Sequence, residues 1–178
     1  MRCFLGFDLT AAEKLQLQSW CDKALPPLHK AVPPANYHIT SVFLGQLEDD
    51  QLDHLTQALD TLNWDAFELH IDELGYWKKP RILYAGCQHI PDGANAVHRQ
   101  LAAIAHQAGI NVQHGHYVPH ITVARKVVEP VPSPLFQPAM TIRLSQLHLF
   151  ESVSGKQGVH YPIRRSWPCR LRSPGHRL

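Results

Sequence analysis

His38 and Thr40 lie two apart in the stretch "NYHITSVFLG", which otherwise has the apolar, β-branched character of a buried strand. In a strand, residues i and i+2 point to one face, so an imidazole and a hydroxyl would share the same space. A single His-x-Thr of this kind is an ordinary satisfied core pair. The pattern recurs, however: "VPHITVAR" places His120 and Thr122 82 positions after His38 and Thr40, close to half the 178-residue chain. Two such pairs at corresponding places in two halves are hard to explain by packing. Two imidazoles in one cleft suit a reaction that removes a proton on one side and delivers one on the other, since histidine's reference pKa is about 6.5. Phosphodiester cleavage has that demand, and the threonine hydroxyls would hold the non-bridging phosphate oxygens.

Local pattern indicates the strands and helices that carry these residues. Cys3 to Leu9 reads as a strand, and Thr10 with Glu13 forms a capping box before a helix with Leu17, Trp20, Cys21 and Ala24 on its inner side. "LPPLHKAVPPAN" breaks that helix and leads into the His38 strand. A second helix starts near Asp49 or Asp50 and shows Leu52, Leu55, Leu59 and Leu62 on one side. "FELHIDELGYW" and "RILYAGC" read as two strands around a "KKP" turn. A third helix starts near Asp92, carries a stripe from Ala94 to Ala108 that includes Ile104, and stops at Gly109. The His120 strand comes next; "EPVPSPLFQP" is a loop, "MTIRLSQLHLFES" and "GVHYPIRRSW" form a closing hairpin, and the tail "RSPGHRL" is loose. The expected architecture is a single bilobal α/β (α+β) domain over residues 1–178. It would consist of two pseudo-symmetric lobes from an internal duplication, with antiparallel sheets, helices on the outer faces and the HxT motifs at 38–40 and 120–122 meeting in a cleft.

Composition narrows the function classes. Apolar residues make up 44% and charged residues 18%, which describes a globular chain. A net charge of +2 does not suggest a broad nucleic-acid coat, although a local basic patch is compatible with it. Cys3, Cys21, Cys87 and Cys169 form no CxxC pair, which argues against a zinc knuckle or a thioredoxin-like motif, and the thiols are expected reduced. The opening apolar run is too short for a signal peptide, and no segment approaches a membrane span. A cytoplasmic monomer without membrane contact is expected.

With these motifs in place, the chain resembles the two-histidine (2H) phosphoesterase superfamily, whose signature is two HxT motifs on two pseudo-symmetric lobes. "FLGFDL", "YHITSVFLGQL", "GYWKKPRILYAGC" and "VPHITVAR" are similar to its bacterial RNA 2′,3′-cyclic phosphodiesterase branch, historically called 2′-5′ RNA ligase. The resemblance runs from Phe4 to about Trp167. It implies opening of an RNA-terminal 2′,3′-cyclic phosphate to a 2′-phosphate without metal or other cofactor. His38 would protonate the leaving oxygen, His120 would act as base on water, and Thr40 and Thr122 would contact the phosphate. The partner implied is an RNA with a cyclic phosphate end, or a related nucleotide. Rival readings are a 2′-5′ RNA ligase, a phosphodiesterase for small cyclic nucleotides, and a non-catalytic RNA-end-binding module.

Arg125, five residues after the second histidine, is implied by the same resemblance to bind phosphate. Strict alternation puts it on the face opposite His120, so it reaches the cleft only if the strand bends, bulges or ends first. Its counterpart Phe43 is expected in the core, with stacking on a base as the lesser alternative. Trp77, Lys78, Lys79 and Arg81, and likewise Arg164 and Arg165, are either an RNA-binding rim or ordinary exposed basic residues. His114, His116 and His120 have spacings that could ligate a metal, but no acidic or cysteine ligand is near, and that reading leaves His38 unexplained. Asp8 reads as a turn or cap residue.

Overall fold

β1 (Arg2–Asp8) alternates into the core through Leu5 and Phe7, and its apolar run leads directly into a capped helix. In the computed structural model, which describes residues 1–113, 115–156 and 158–170, the expected capping box is present. The Thr10 hydroxyl accepts from the Glu13 amide at 3.2 Å, and the Glu13 carboxylate accepts from the Thr10 amide at 2.8 Å. These bonds open α1 (Ala11–Ala24), whose buried residues are Leu17, Trp20, Cys21 and Ala24. Next come β2 (His38–Gln46) and α2 (Asp49–Asp60), where the Gln51 side chain accepts from the Glu48 amide. Leu55 and Leu59 bury fully, while Leu52 and Leu62 pack only partly. In α3 (Asp92–Gln107) the stripe runs through Ala94, Val97, Leu101 and Ala105, with Ile104 half-buried beside it. Gly109, at φ 74°, turns the chain out.

Among the described residues every strand pairing is antiparallel. Three sequence expectations need correction. "FELHIDELGYW" is two strands, β3 (Phe67–Ile71) and β4 (Glu73–Trp77), because the Asp72 amide bonds the Gly86 carbonyl while its carboxylate takes the Gln88 amide. "MTIRLSQLHLFES" divides at Ser145 into β7 (Met140–Leu144) and β8 (Gln146–Glu151), with the Ser145 carbonyl accepting from Cys169. β3 pairs with β7, while β4 continues to β5 (Ile82–Gly86). The closing hairpin forms between β8 and β11 (Ile163–Pro168), but "GVH" leaves it to make β10 (Gly158–His160) against β9 (Val153–Gly155). The tail "RSPGHRL" lies outside the described residues.

The result is two pseudo-symmetric lobes. In one, the order β11-β8-β1-β2 leaves the His38 strand at the sheet edge; in the other, β4-β5-β6 leaves β6 (His120–Ala124) at the edge. The two edges approach each other. No helix among the described residues is long and apolar enough to cross a membrane.

Candidate active site

Each HxT strand contributes one isoleucine to the core, Ile39 and Ile121, both fully buried. Alternation therefore turns His38 and Thr40, and likewise His120 and Thr122, the other way. All four line a single cleft of about 630 Å³.

The register explains what lies beyond the threonines. β1 pairs Gly6 with Thr40 and Leu5 with Val42, so Ser41 is an extra residue in β2. β5 pairs Tyr84 with Thr122 and Leu83 with Ala124, so Val123 is an extra residue in β6. Each is a β-bulge immediately after the threonine, and each reverses the parity of the residues that follow it, in β2 as far as a second shift at Leu44. A residue five after the histidine thus returns to the histidine's face. Arg125 meets the condition set for it and lines the cleft. Phe43 corrects an expectation: it is not in the core but 68% exposed, and it lines the same cleft. Alternation counted without the bulge puts it inside.

The bulges are held differently. In β2, the Ser41 carbonyl accepts from Nδ1 of His98 on α3 at 2.9 Å, and the Thr40 carbonyl accepts from the Tyr117 hydroxyl at 3.3 Å. His98 and Tyr117 stack at 4.3 Å with 4° between their planes. In β6, backbone from the loop before β2 does this work: the Val32 amide donates to the Val123 carbonyl at 2.8 Å, and the Arg125 amide to the Lys30 carbonyl at 3.1 Å.

Both imidazoles are fixed in the same way. Nδ1 of His38 lies 2.7 Å from the Asn36 carbonyl, and Nδ1 of His120 lies 2.8 Å from the Val118 carbonyl. A carbonyl only accepts, so Nδ1 must carry hydrogen in both rings, and Nε2 is left to take or give a proton. Aromatic walls close around them. His38 has Tyr161 at 4.7 Å, Phe4 at 4.8 Å and Phe150 at 5.8 Å; His120 has Trp77 at 4.5 Å and Tyr84 at 5.5 Å. Burial pushes the His38 pKa down to about 4, with the Arg125 and His120 charges acting the same way and the Asn36 carbonyl and Asp8 opposing. His120 is lowered by burial and by Arg125, against the pull of the Val118 carbonyl.

Among the described residues the cleft lining contains Arg2 and Arg125 but no carboxylate, so its chemistry suits an anion. Among the described residues no cluster of three or more His, Cys, Asp or Glu could hold a metal; His114 of the alternative trio lies outside them, while His116 borders a neighbouring apolar cavity. Trp77 packs on Tyr84 at 4.2 Å and buttresses His120, a role its hairpin position did not reveal. Lys78, Lys79 and Arg81 are exposed on that turn. Arg164 pairs with Glu151, and one amino group of the Arg165 guanidinium donates to both Asp60 carboxylate oxygens, both arginines remaining exposed. Asp8 pairs with Lys14 of α1 at 2.8 Å and accepts from the Leu9 amide, while the N-cap of α1 is Thr10. Phe4, Tyr84 and Tyr161 were missed because only long-range pairing brings them to the histidines.

This arrangement has close counterparts. The chain is 25% identical over 169 residues to the Escherichia coli (strain K12) RNA 2′,3′-cyclic phosphodiesterase, covering 93% of this chain and 95% of that one. It is 34% identical over 108 residues to the Bacillus subtilis (strain 168) RNA 2′,3′-cyclic phosphodiesterase, covering 54% and 55%. Its fold superposes on the crystal structure of E. coli LigT in apo form with a TM-score of 0.85 at 26% identity, over 96% of this chain and 98% of that one. A second structure of that protein, complexed with 3′-AMP, also superposes at 0.85, with 25% identity and the same coverage. Since the 2′-5′ RNA ligase superfamily model matches residues 8–156, a span that takes in both HxT strands, the chain belongs to that superfamily of 2H phosphoesterases.

Proposed function

We propose that this protein hydrolyses a 2′,3′-cyclic phosphate at an RNA end, leaving a 2′-phosphate. His120 Nε2 takes a proton from water as its oxygen attacks phosphorus, the P–O3′ bond breaks, and His38 Nε2 gives its proton to O3′. Thr40 and Thr122 donate to the non-bridging oxygens, and the Arg125 guanidinium balances their charge. The observation that carries this reading is that both HxT pairs and the arginine after the second bulge line one cleft, with no carboxylate among its described residues. The names of the bacterial relatives support the same substrate class. We also infer that the lobes arose by duplication, because motif and bulge recur at one offset.

The lowered histidine pKa values define what the substrate must contribute. In the free protein both rings are neutral near pH 7, which suits the base and not the acid. An anionic phosphate against Nε2 favours the charged form and restores a proton to His38. Incubating the protein with an RNA ending in a 2′,3′-cyclic phosphate and identifying the product tests the reading. A 2′-phosphate supports it, a 3′-phosphate reverses the leaving oxygen, a 2′-5′ joined product favours the ligase, and binding without turnover favours the end-binding module.

A further inference from the structure

Three residues other than glycine hold a left-handed backbone among the described residues: Lys30 at φ 62°, Arg81 at φ 67° and Lys126 at φ 55°. All three are cations. A Cβ is disfavoured in that region, which glycine, asparagine and aspartate occupy more readily. The three come from separate parts of the sequence, yet they meet in space. The Arg125 amide donates to the Lys30 carbonyl at 3.1 Å and the Val127 amide to the Arg81 carbonyl at 3.1 Å, so the backbones of Lys30 and Arg81 bracket Lys126 through its two neighbours. All three residues are exposed, so none is kept for packing. Strain retained where glycine would relieve it points to a use for the side chain.

The cluster extends beyond these three. Lys78 and Lys79 share an open hollow of about 560 Å³ with Arg81, Val128 and Glu129, and Arg125 adjoins Lys126. Six of the chain's 17 Lys and Arg residues are therefore gathered here. Glu129 pairs with Lys78 at 3.4 Å, both side chains being largely exposed. Among the described residues the other five cations make no ion pair. Apart from this patch the chain has more carboxylates than Lys and Arg together, so its net charge of +2 originates here.

The patch begins where the catalytic cleft ends. Arg125 lines the cleft, and so does Ile82, the residue after Arg81. A phosphate held between the histidines thus has a cationic surface leading away from it on the β6 side. Resting on the hydrolase reading above, we infer that this surface binds the phosphodiester backbone of the RNA upstream of its reacting end. A single strand carries one negative charge per nucleotide, so successive phosphates meet Lys30, Arg81 and Lys126 while the terminal one stays in the cleft. Contacts of this kind position a strand without reading its bases. They make an RNA end bind more tightly than a mononucleotide that bears the same phosphate.

Glycine is the replacement that removes each charge while relaxing the turn. The triple variant Lys30→Gly, Arg81→Gly, Lys126→Gly should therefore fold as the wild type does. Calorimetry across a salt series, with a hexanucleotide ending in a 2′-phosphate and with adenosine 2′-monophosphate, reads the difference without turnover. Wild-type protein should prefer the hexanucleotide. The glycine variant should lose that preference, with mononucleotide affinity unchanged. Its slope of log K against log salt for the hexanucleotide should be shallower by about two, at roughly 0.7 for each of three phosphates. A matched triple, Lys23→Gln, Arg99→Gln, Arg143→Gln, removes equal charge from outside the patch and should keep the preference. Equal binding of both probes by wild type, an unchanged slope in the glycine variant, or an equal loss in the matched variant overturns the surface. Loss of binding to phosphatidylserine vesicles with hexanucleotide binding intact also overturns it, assigning the patch to a membrane. A preference that the glycine variant loses, in a protein that leaves the cyclic phosphate intact, keeps the surface and removes the hydrolase reading. Turnover of the cyclic phosphate with equal binding of both probes does the reverse.

Discussion

The two histidine strands have the same design and different supports. Both place an isoleucine in the core, bond Nδ1 to the carbonyl two residues earlier, and bulge immediately after the threonine. β2 has its bulge carbonyls taken by side chains, His98 and Tyr117, whereas β6 is held by the backbone of Lys30–Val32. The residue each bulge returns to the cleft is Phe43 on one side and Arg125 on the other. The strand motif therefore supplies placement, and the fifth residue supplies the difference between the halves: a cation on the β6 side, an apolar ring on the β2 side.

The most severe test of this comparison removes the shared part. His38→Ala and His120→Ala should each lower turnover by roughly 10²–10⁴-fold, the scale of a lost acid–base group. Both rings serve one displacement, so the double variant should retain far more activity than the product of the two losses predicts. Full multiplicativity in cyclic-phosphate turnover would mean that the strands act independently. Next in size is the residue that distinguishes the strands. Arg125→Ala should raise KM by about 10–100-fold, as expected for a charge-assisted hydrogen bond worth roughly 1.5–3 kcal/mol, with the melting temperature unchanged. Arg125→Lys should recover part of this, keeping the charge without the planar fork. Unchanged kinetic constants in Arg125→Ala would make it an ordinary solvated arginine.

A smaller effect tests the supports. His98→Ala leaves the Ser41 carbonyl without its donor and Tyr117 without its stacking partner, at a cost of about 1–2 kcal/mol of stability. If that contact sets the bulge, turnover falls several-fold beyond what the lost folded fraction explains. A drop matching the unfolded fraction alone would confine His98 to stability.

Local pattern was enough to read much of this molecule. The doubled HxT, the Thr10–Glu13 box, the inner face of α1 and the end of α3 at Gly109 all depend on residues within a turn or two of one another. What could not be read depends on pairing partners distant in sequence. The alternation of "FELHI" lapses at Asp72–Glu73, but distant partners make the break: Asp72 turns to Gly86 and Gln88 and splits the strand. Phe43 was misplaced because nothing in β2 marks the bulge. One signal lay in the neighbouring strand: Gly6 interrupts an apolar run, and a Cβ there would collide with the Ile39 carbonyl. A glycine inside a strand marks a bulge or a close backbone approach. The aromatic walls from Phe4 and Tyr161 had no comparable signal.

The difference between the two histidines should also be visible in acid. An unfolded histidine titrates near 6.5, while folded His38 titrates near 4. Between those values the unfolded chain binds the proton and the folded chain does not, so stability falls as pH drops through the window. Arg125 and His120 add to the effect and Asp8 opposes it. His120 is lowered in the same direction, so it contributes with the same sign. His38→Gln removes one titrating ring, and its melting temperature should fall less between pH 7 and pH 4.5 than that of the wild type. The comparison is between slopes, because loss of the bond to the Asn36 carbonyl also lowers the value at pH 7. Inorganic phosphate, by favouring the charged rings, should flatten the wild-type slope and have less effect on His38→Gln. Identical slopes in the two proteins, with and without phosphate, would show that burial does not hold His38 neutral, and the substrate would then not be needed to charge the acid.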